Sequence, residues 1–145
     1  MVKRVNIKTT KNSQPVEDYL DGLDSPAFSE QGYQLLGLFS RVTGCDPKMW
    51  GGSIVGFGEY VYHRANGDEG LFMATGFSMR KSGPVLYIMP GYATASVYLD
   101  RLGPHKLGKS CLYIKRLSDV DLKVVEELIV AGLDELKESH TVRLA

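Results

Sequence analysis

The string Gly103-Pro-His-Lys-Leu-Gly-Lys-Ser110 matches G-x-x-x-x-G-K-[ST], the pattern of loops that cradle nucleotide phosphates. That chemistry needs a strand before the loop and a helix after it, so that amide N–H groups and a helix dipole converge on the phosphates. Here a helical stretch precedes the string, and Cys111-Leu-Tyr-Ile-Lys-Arg116 behind it alternates like a strand. Gly103 suits a helix C-cap, Pro104 removes one N–H from the cradle, and no second motif offers a magnesium-binding Asp. Nucleotide hydrolysis is therefore not expected. Gly108, Lys109 and Ser110, with His105 and Lys106 beside them, can still form a backbone nest for an anion. The plain alternative is a solvated turn.

A second basic spot closes Gly76-Phe-Ser-Met-Arg-Lys81, where Arg80 suits bidentate carboxylate or phosphate recognition and Lys81 acts as a point charge. Nucleophiles are scarce. Cys111 lies six residues from His105, but a Cys at the start of a strand reads first as a small buried hydrophobe. Ser53 sits in no G-x-S-x-G elbow. His63 and His140 complete no metal-ligand spacing, and Cys45 and Cys111, 66 residues apart, match none for zinc and are too few for a disulfide framework. No catalytic residue and no metal ligand is assigned. Carboxylates gather at Glu17, Asp18, Asp21 and Asp24, and again at Glu126, Glu127, Asp134, Glu135 and Glu138. They could hold a hard cation such as iron through oxygen, though a solvated helix face is the simpler account.

The elements that must position these residues follow from pattern. Ser13, Pro15 and an amphipathic run to Leu23 predict a short helix. Ser25 as N-cap with Pro26 behind it opens a second, whose apolar face carries Phe28, Leu35, Phe39 and Val42 and which ends at Gly44. Trp50 to Gly58, with four glycines in nine residues, reads as a bent strand or loop. Strands are predicted over Glu59 to Ala65 and Leu71 to Ser78, joined by a tight turn at Asn66-Gly67, and over Pro84 to Met89, closed by Pro90-Gly91. A helix over Thr94 to Leu102, a strand over Cys111 to Leu117, and a last helix opened by a capping box at Ser118-Asp-Val-Asp121 complete the series. Leu122, Val125, Ile129, Leu133 and Leu136 form its stripe. Leu86-Tyr87-Ile88 and Leu112-Tyr113-Ile114 repeat one tripeptide in two strands, placing Leu and Ile on one face and each Tyr on the other. The series predicts a single α+β domain over 1–145, its core about 15–137. Two N-terminal helices, an inserted helix and a C-terminal helix pack on a mainly antiparallel sheet.

Length and composition agree with one globular domain: 145 residues, 43% hydrophobic and 23% charged. Seventeen basic and 17 acidic residues cancel, which argues against broad nucleic-acid binding. The cancellation hides structure. Residues 1–79 hold 7 basic and 9 acidic residues, 80–116 hold 7 and 1, and 117–145 hold 3 and 7, so the balances are −2, +6 and −4. A concentrated basic third points to an anionic ligand, unless it pairs with the acidic last helix. Lys3, Arg4, Lys8 and Lys11 precede no apolar stretch, so a secretory signal and a membrane span are not expected, and the cytoplasm is.

Four motifs carry a resemblance: Met49-Trp-Gly-Gly-Ser-Ile-Val-Gly-Phe-Gly58, Gly76-Phe-Ser-Met-Arg-Lys81, Leu86-Tyr-Ile-Met-Pro-Gly-Tyr92 and Leu102-Gly-Pro-His-Lys-Leu-Gly-Lys-Ser-Cys-Leu-Tyr-Ile-Lys-Arg-Leu117. In this order, from about Pro15 to Leu136, the chain resembles the YdhG-like family, a domain family of unknown function. It departs from the family pattern at Gly52, Met79, Pro104 and Leu107. The resemblance implies a small bacterial cytoplasmic α+β protein, with some relatives described as frataxin-like iron chaperones. It also implies that Trp50, Ser53, Gly56, Arg80, Lys81, Lys106, Gly108, Lys109 and Ser110 rim one pocket. The expected function is binding of a small anionic ligand or partner group there, without turnover or a cofactor. The alternatives are iron handling for iron–sulfur assembly, and a homodimeric interaction module joined through the Tyr87/Tyr113 face.

Overall fold

Ser25 accepts a hydrogen bond from the Phe28 amide and Pro26 takes the first helical position, so the second N-terminal helix starts where its cap chemistry dictates. The computed structural model describes residues 11–63, 65, 67–89, 92, 95–109 and 111–144. Among these, the helices are α1 (Val16–Asp21), α2 (Pro26–Thr43), α3 (Ser96–Leu102) and α4 (Leu122–Ser139). The strands are β1 (Lys11–Asn12), β2 (Pro47–Trp50), β3 (Ile54–His63), β4 (Glu69–Arg80), β5 (Gly83–Ile88), β6 (Lys106–Leu107), β7 (Cys111–Tyr113) and β8 (Val142–Arg143). They form one antiparallel sheet in the order β1-β2-β3-β4-β5-β7-β6, with β8 also pairing β3. The chain is a single-sheet α+β fold.

Leu20, Leu35, Phe39, Val125, Ile129, Leu133 and Leu136 of the helices meet Val55, Phe57, Phe77, Leu86, Ile88 and Leu112 of the sheet in the main core. Phe39 stacks on Phe57 with ring centroids 5.3 Å apart and tilts against Phe77 at 5.4 Å. Gly132 lets α4 settle onto β5, because a Cβ there would stand 2.7 Å from Ile88. A second buried cluster of Trp50, Met73, Val85 and Tyr87, flanked by Ile54, Phe72, Met89 and Cys111, draws no residue from any helix. It occupies the outer face of the sheet, the one opposite the main core.

The repeated tripeptide behaves as its alternation predicts: β5 pairs β7 with Leu86 opposite Leu112, and Leu86, Ile88, Leu112 and Ile114 are all buried in the main core. Several boundaries differ from pattern. The glycine-rich stretch is strand, since β2 takes Trp50 and β3 begins at Ile54, five residues before the expected start. The β3–β4 connection is longer than a two-residue turn, because the last pair is His63 with Glu69; Asn66 lies outside the described residues, as do Pro90, Gly91 and Thr94. Strand β7 ends at Tyr113, after which Leu117–Asp119 make a 3-10 turn. The capping box is a correction: Asp121 is itself the N-cap of α4, its Oδ1 accepting from the Lys123 amide at 2.9 Å, while Asp119 turns to Arg116.

This correction separates two substitutions. Asp121→Ala is expected to cost about 1 kcal/mol, the usual value of an N-cap, with Ser118→Ala within about 0.5 kcal/mol of wild type. Urea denaturation of both variants checks it, and equal losses would restore the capping box.

Candidate functional site

Strand register sorts the expected site residues before any side chain is considered. One lane across the sheet pairs Trp50 with Ile54, Ile54 with Ser78, Ser78 with Val85, Val85 with Tyr113 and Tyr113 with Lys106. The lane two residues further along pairs Lys48 with Gly56, Gly56 with Gly76, Gly76 with Tyr87 and Tyr87 with Cys111. Residues opposite one another in antiparallel strands share a face, as do residues two apart. Trp50, Gly56, Arg80 and Lys106 therefore all belong to the outer face.

Gly56 and Gly76 lie side by side there and leave a hollow with no Cβ. Trp50 fills one half: a Cβ on Gly56 would stand 2.4 Å from its indole Cδ1. Met73 fills the other, its sulfur 2.9 Å from the position of a Gly76 Cβ. Phe72 meets the indole edge-on at 5.5 Å. Trp50 is only 3% exposed, so it and Gly56 support the face from below, not at a rim.

Arg80 is the cation that acts on this face. Its guanidinium donates through Nη2 to the Tyr87 hydroxyl at 3.0 Å, although Arg80 pairs with Gly83 and Tyr87 stands four residues further along β5. The two side chains thus meet across the Ser78–Val85 pair that separates them in register. The Tyr87 oxygen raises the guanidinium pKa and partial burial opposes it, with smaller upward effects from Cys111 and Tyr113. Burial in turn pushes the Tyr87 phenol up, with Arg80 pulling it down.

The other expected residues stand around this centre. Ser53 and Lys81 occupy exposed turns, before β3 and after β4. Lys106 lies on the exposed edge strand β6, and Lys109 is exposed in the β6–β7 turn. Ser110 lies outside the described residues. The string that resembles a phosphate loop is a small hairpin: Gly103 caps α3 at φ +115, Leu107 pairs with Leu112, and the Gly108 amide donates to the Cys111 carbonyl at 2.8 Å. An amide committed to its own hairpin is withdrawn from an anion nest. His105 Nδ1 donates to the Gly103 carbonyl at 2.7 Å, a contact within its own loop.

The charge balance is partly spent inside the fold. Arg101 pairs with Glu127 at 2.6 Å and Arg116 with Asp119 at 3.4 Å, two of the seven cations of the basic third; Arg41 pairs with Glu126. Among the described residues, Arg80, Lys81, Lys106, Lys109 and Lys115 stand within ion-pair range of no carboxylate. The same pairs engage Glu126 and Glu127, the carboxylates on which iron handling would draw. Among the described residues no three His, Cys, Asp or Glu side chains converge as metal ligands, and no helix is long and apolar enough to cross a membrane.

The pattern alone missed Tyr87 as the partner of Arg80. The repeated Leu-Tyr-Ile places both tyrosines on one face, but only the register brings that face to Arg80. No family model, curated protein or solved structure matches the chain.

Two predictions follow from this packing. Gly56→Ala drives a methyl into the indole, and a destabilisation of roughly 1–3 kcal/mol is expected. Because Trp50 is the single tryptophan, a red-shifted emission should accompany that loss, and unchanged emission would show the indole to lie elsewhere. The tyrosines supply the second. Burial raises Tyr60, Tyr87 and Tyr92, and the 2.7 Å hydrogen bond to Asp21 pushes Tyr33 up to about 12. A phenol with a raised folded pKa binds its proton more tightly in the folded state. Its contribution is intact below about pH 10 and is lost as the pH climbs toward the folded value. Phenolate absorbance should therefore show these four of the eight tyrosines ionising late, with stability falling above about pH 10. Simultaneous titration of all eight near pH 10 in the intact fold would contradict this.

Proposed function

We propose that this protein binds a small anionic ligand, or an anionic group on a partner, on the outer face of its sheet around Arg80, without turnover. The observation that carries the reading is the setting of Arg80. It is a guanidinium held by a neutral phenol on an apolar sheet face, with no described carboxylate in ion-pair range. Of the five described arginines, Arg41, Arg101 and Arg116 pair with a carboxylate, while Arg80 and Arg143 have none in ion-pair range, and of these two Arg80 lies on the outer face. An arginine that instead keeps most of its five donors unused is suited to an incoming anion. Lys81, Lys106 and Lys109 add a positive rim that steers anions toward it, an effect that weakens as salt rises. The likeness to the YdhG-like family, with the bacterial cytoplasm as setting, enters the reading through the shared motifs.

A panel of inorganic phosphate, phosphate-bearing metabolites and simple carboxylates, scored by thermal shift and by Trp50 emission, tests it. At least one should stabilise the protein, through preferential binding to the folded state. Arg80→Ala should weaken that binding by about tenfold or more, Lys106→Ala by less, and Lys123→Ala on α4 should leave it unchanged. The reading falls if no member of the panel binds, or if binding is indifferent to Arg80.

A further inference from the structure

Arg143, the other arginine without a carboxylate, stands at a cavity. About 360 Å³ of space opens beside the first strands of the sheet, lined by Lys11, Asp46, Lys48, Glu59 and Arg143 among others. That volume lies at the small end of ligand pockets, which run roughly 300–1,000 Å³. Its walls come from segments remote in sequence. Asp46 and Lys48 flank Pro47 at the start of β2, Glu59 stands on β3, and Arg143 ends β8.

Local chemistry holds these walls in place. Helix α2 stops at Gly44, whose φ of +69 is the left-handed conformation glycine adopts at little cost, and the chain turns there toward Asp46. A Cβ on Gly58 would stand 2.9 Å from the Arg143 carbonyl oxygen, so a glycine at this position lets β8 lie close and pair Arg143 with Glu59. Cys45 Sγ donates to the Leu144 carbonyl, which ties the end of the chain to the α2–β2 connection.

Three cations and two carboxylates thus share one cavity, and they are only partly matched. Lys11 pairs with Glu59 at 3.6 Å. Among the described residues neither Lys48 nor Arg143 has a carboxylate in ion-pair range, and Asp46 has no cation. Opposite charges that line the same cavity without meeting leave a gap that a ligand can span. Lys48, Arg143 and Asp46 are all exposed, so a ligand reaches them without any opening of the fold.

The residual charges specify the class of ligand. Two unpaired cations and one unpaired carboxylate complement a molecule with two negative groups and one positive group. A guanidinium fork matches the two oxygens of a carboxylate, and an ammonium such as that of Lys48 acts as a point charge for a second. Inorganic phosphate would satisfy the cations but be repelled by Asp46, and a plain dicarboxylate would leave Asp46 unmatched. We propose that this cavity binds an acidic α-amino acid. Arg143 and Lys48 hold its two carboxylates, and Asp46 holds its ammonium. The inference goes beyond the reading given to Arg80, which does not line this cavity.

L-glutamate and L-aspartate serve as probes, with glutarate and succinate as the same diacids lacking the ammonium. Calorimetry on the full chain reads binding, and emission of Trp50, which also lines the cavity, follows it independently. At least one amino acid should bind more tightly than its diacid, and more weakly as salt rises. Arg143→Ala should weaken it about tenfold, and Asp46→Asn should erase the preference over the diacid. Melting temperatures of both free variants should stay close to wild type, because the side chains are exposed and unpaired. Arg80→Ala should leave this binding unchanged, so the two readings stand or fall separately. Binding of neither amino acid, or binding indifferent to Arg143, would overturn the inference. Loss of binding in Arg80→Ala would overturn the cavity assignment in favour of the outer face. A preference over the diacid that survives Asp46→Asn would overturn the role given to Asp46.

Discussion

A sheet whose helices supply only one of its two buried clusters must bury the apolar side chains of its other face with the sheet itself. The adjacent glycines at 56 and 76 meet that constraint. With no side chain on two neighbouring strands, Trp50 and Met73 lie down across the backbone and cover it. Phe72, Val85 and Tyr87 then pack against them, and a second cluster becomes dry without a second layer of helices. An added Cβ is excluded on both strands, on Gly56 by the indole and on Gly76 by the Val55 carbonyl oxygen at 2.3 Å. The arrangement fixes where Tyr87 stands. Tyr87 in turn fixes where Arg80 points.

Whole-chain neutrality conceals how the charges are used. The acidic last helix and the basic third meet only in part, through Arg101 with Glu127, while Arg116 is matched by Asp119 in the 3-10 turn. These are exposed pairs, each worth at most about 1 kcal/mol. Their consequence is more geometric than energetic: they hold part of the balance on the helical side and leave Arg80 and four lysines toward the sheet. A surface that is neutral in sum is thus divided by position.

Periodicity and capping made much of the scaffold legible. Ser25 with Pro26, Gly44 and Gly103 mark helix ends that depend on φ and on local hydrogen bonds, so short-range chemistry decides them. The stripe from Val125 to Leu136 marks the buried face of α4, and the repeated Leu-Tyr-Ile marks two strands with one orientation. Pattern failed where a long-range partner decided the state. The glycines between Trp50 and Gly58 weaken a strand taken alone, yet β4 pairs with Ile54 to Phe57 and makes them one. Lys106 and Leu107 are strand only because β7 lies beside them. Asp121 took the cap from Ser118 because the chain spends a 3-10 turn before α4 begins.

The site divides in the same way. Sequence alone identified the charged third, the Gly-containing motifs and the arginine best suited to an anion, because those are matters of residue type and local spacing. It also determined the α+β class, which follows from element order. Tertiary structure decided which motif faces the candidate site: the Gly108 amide is consumed by its own hairpin, while Arg80 is turned onto the sheet by a tyrosine on the neighbouring strand. It alone could show that Lys48, Asp46 and Arg143 line one cavity, since that depends on atoms far apart in the chain. Register brings such atoms together, and register is set by the packing of a whole face rather than by any residue's nearest neighbours.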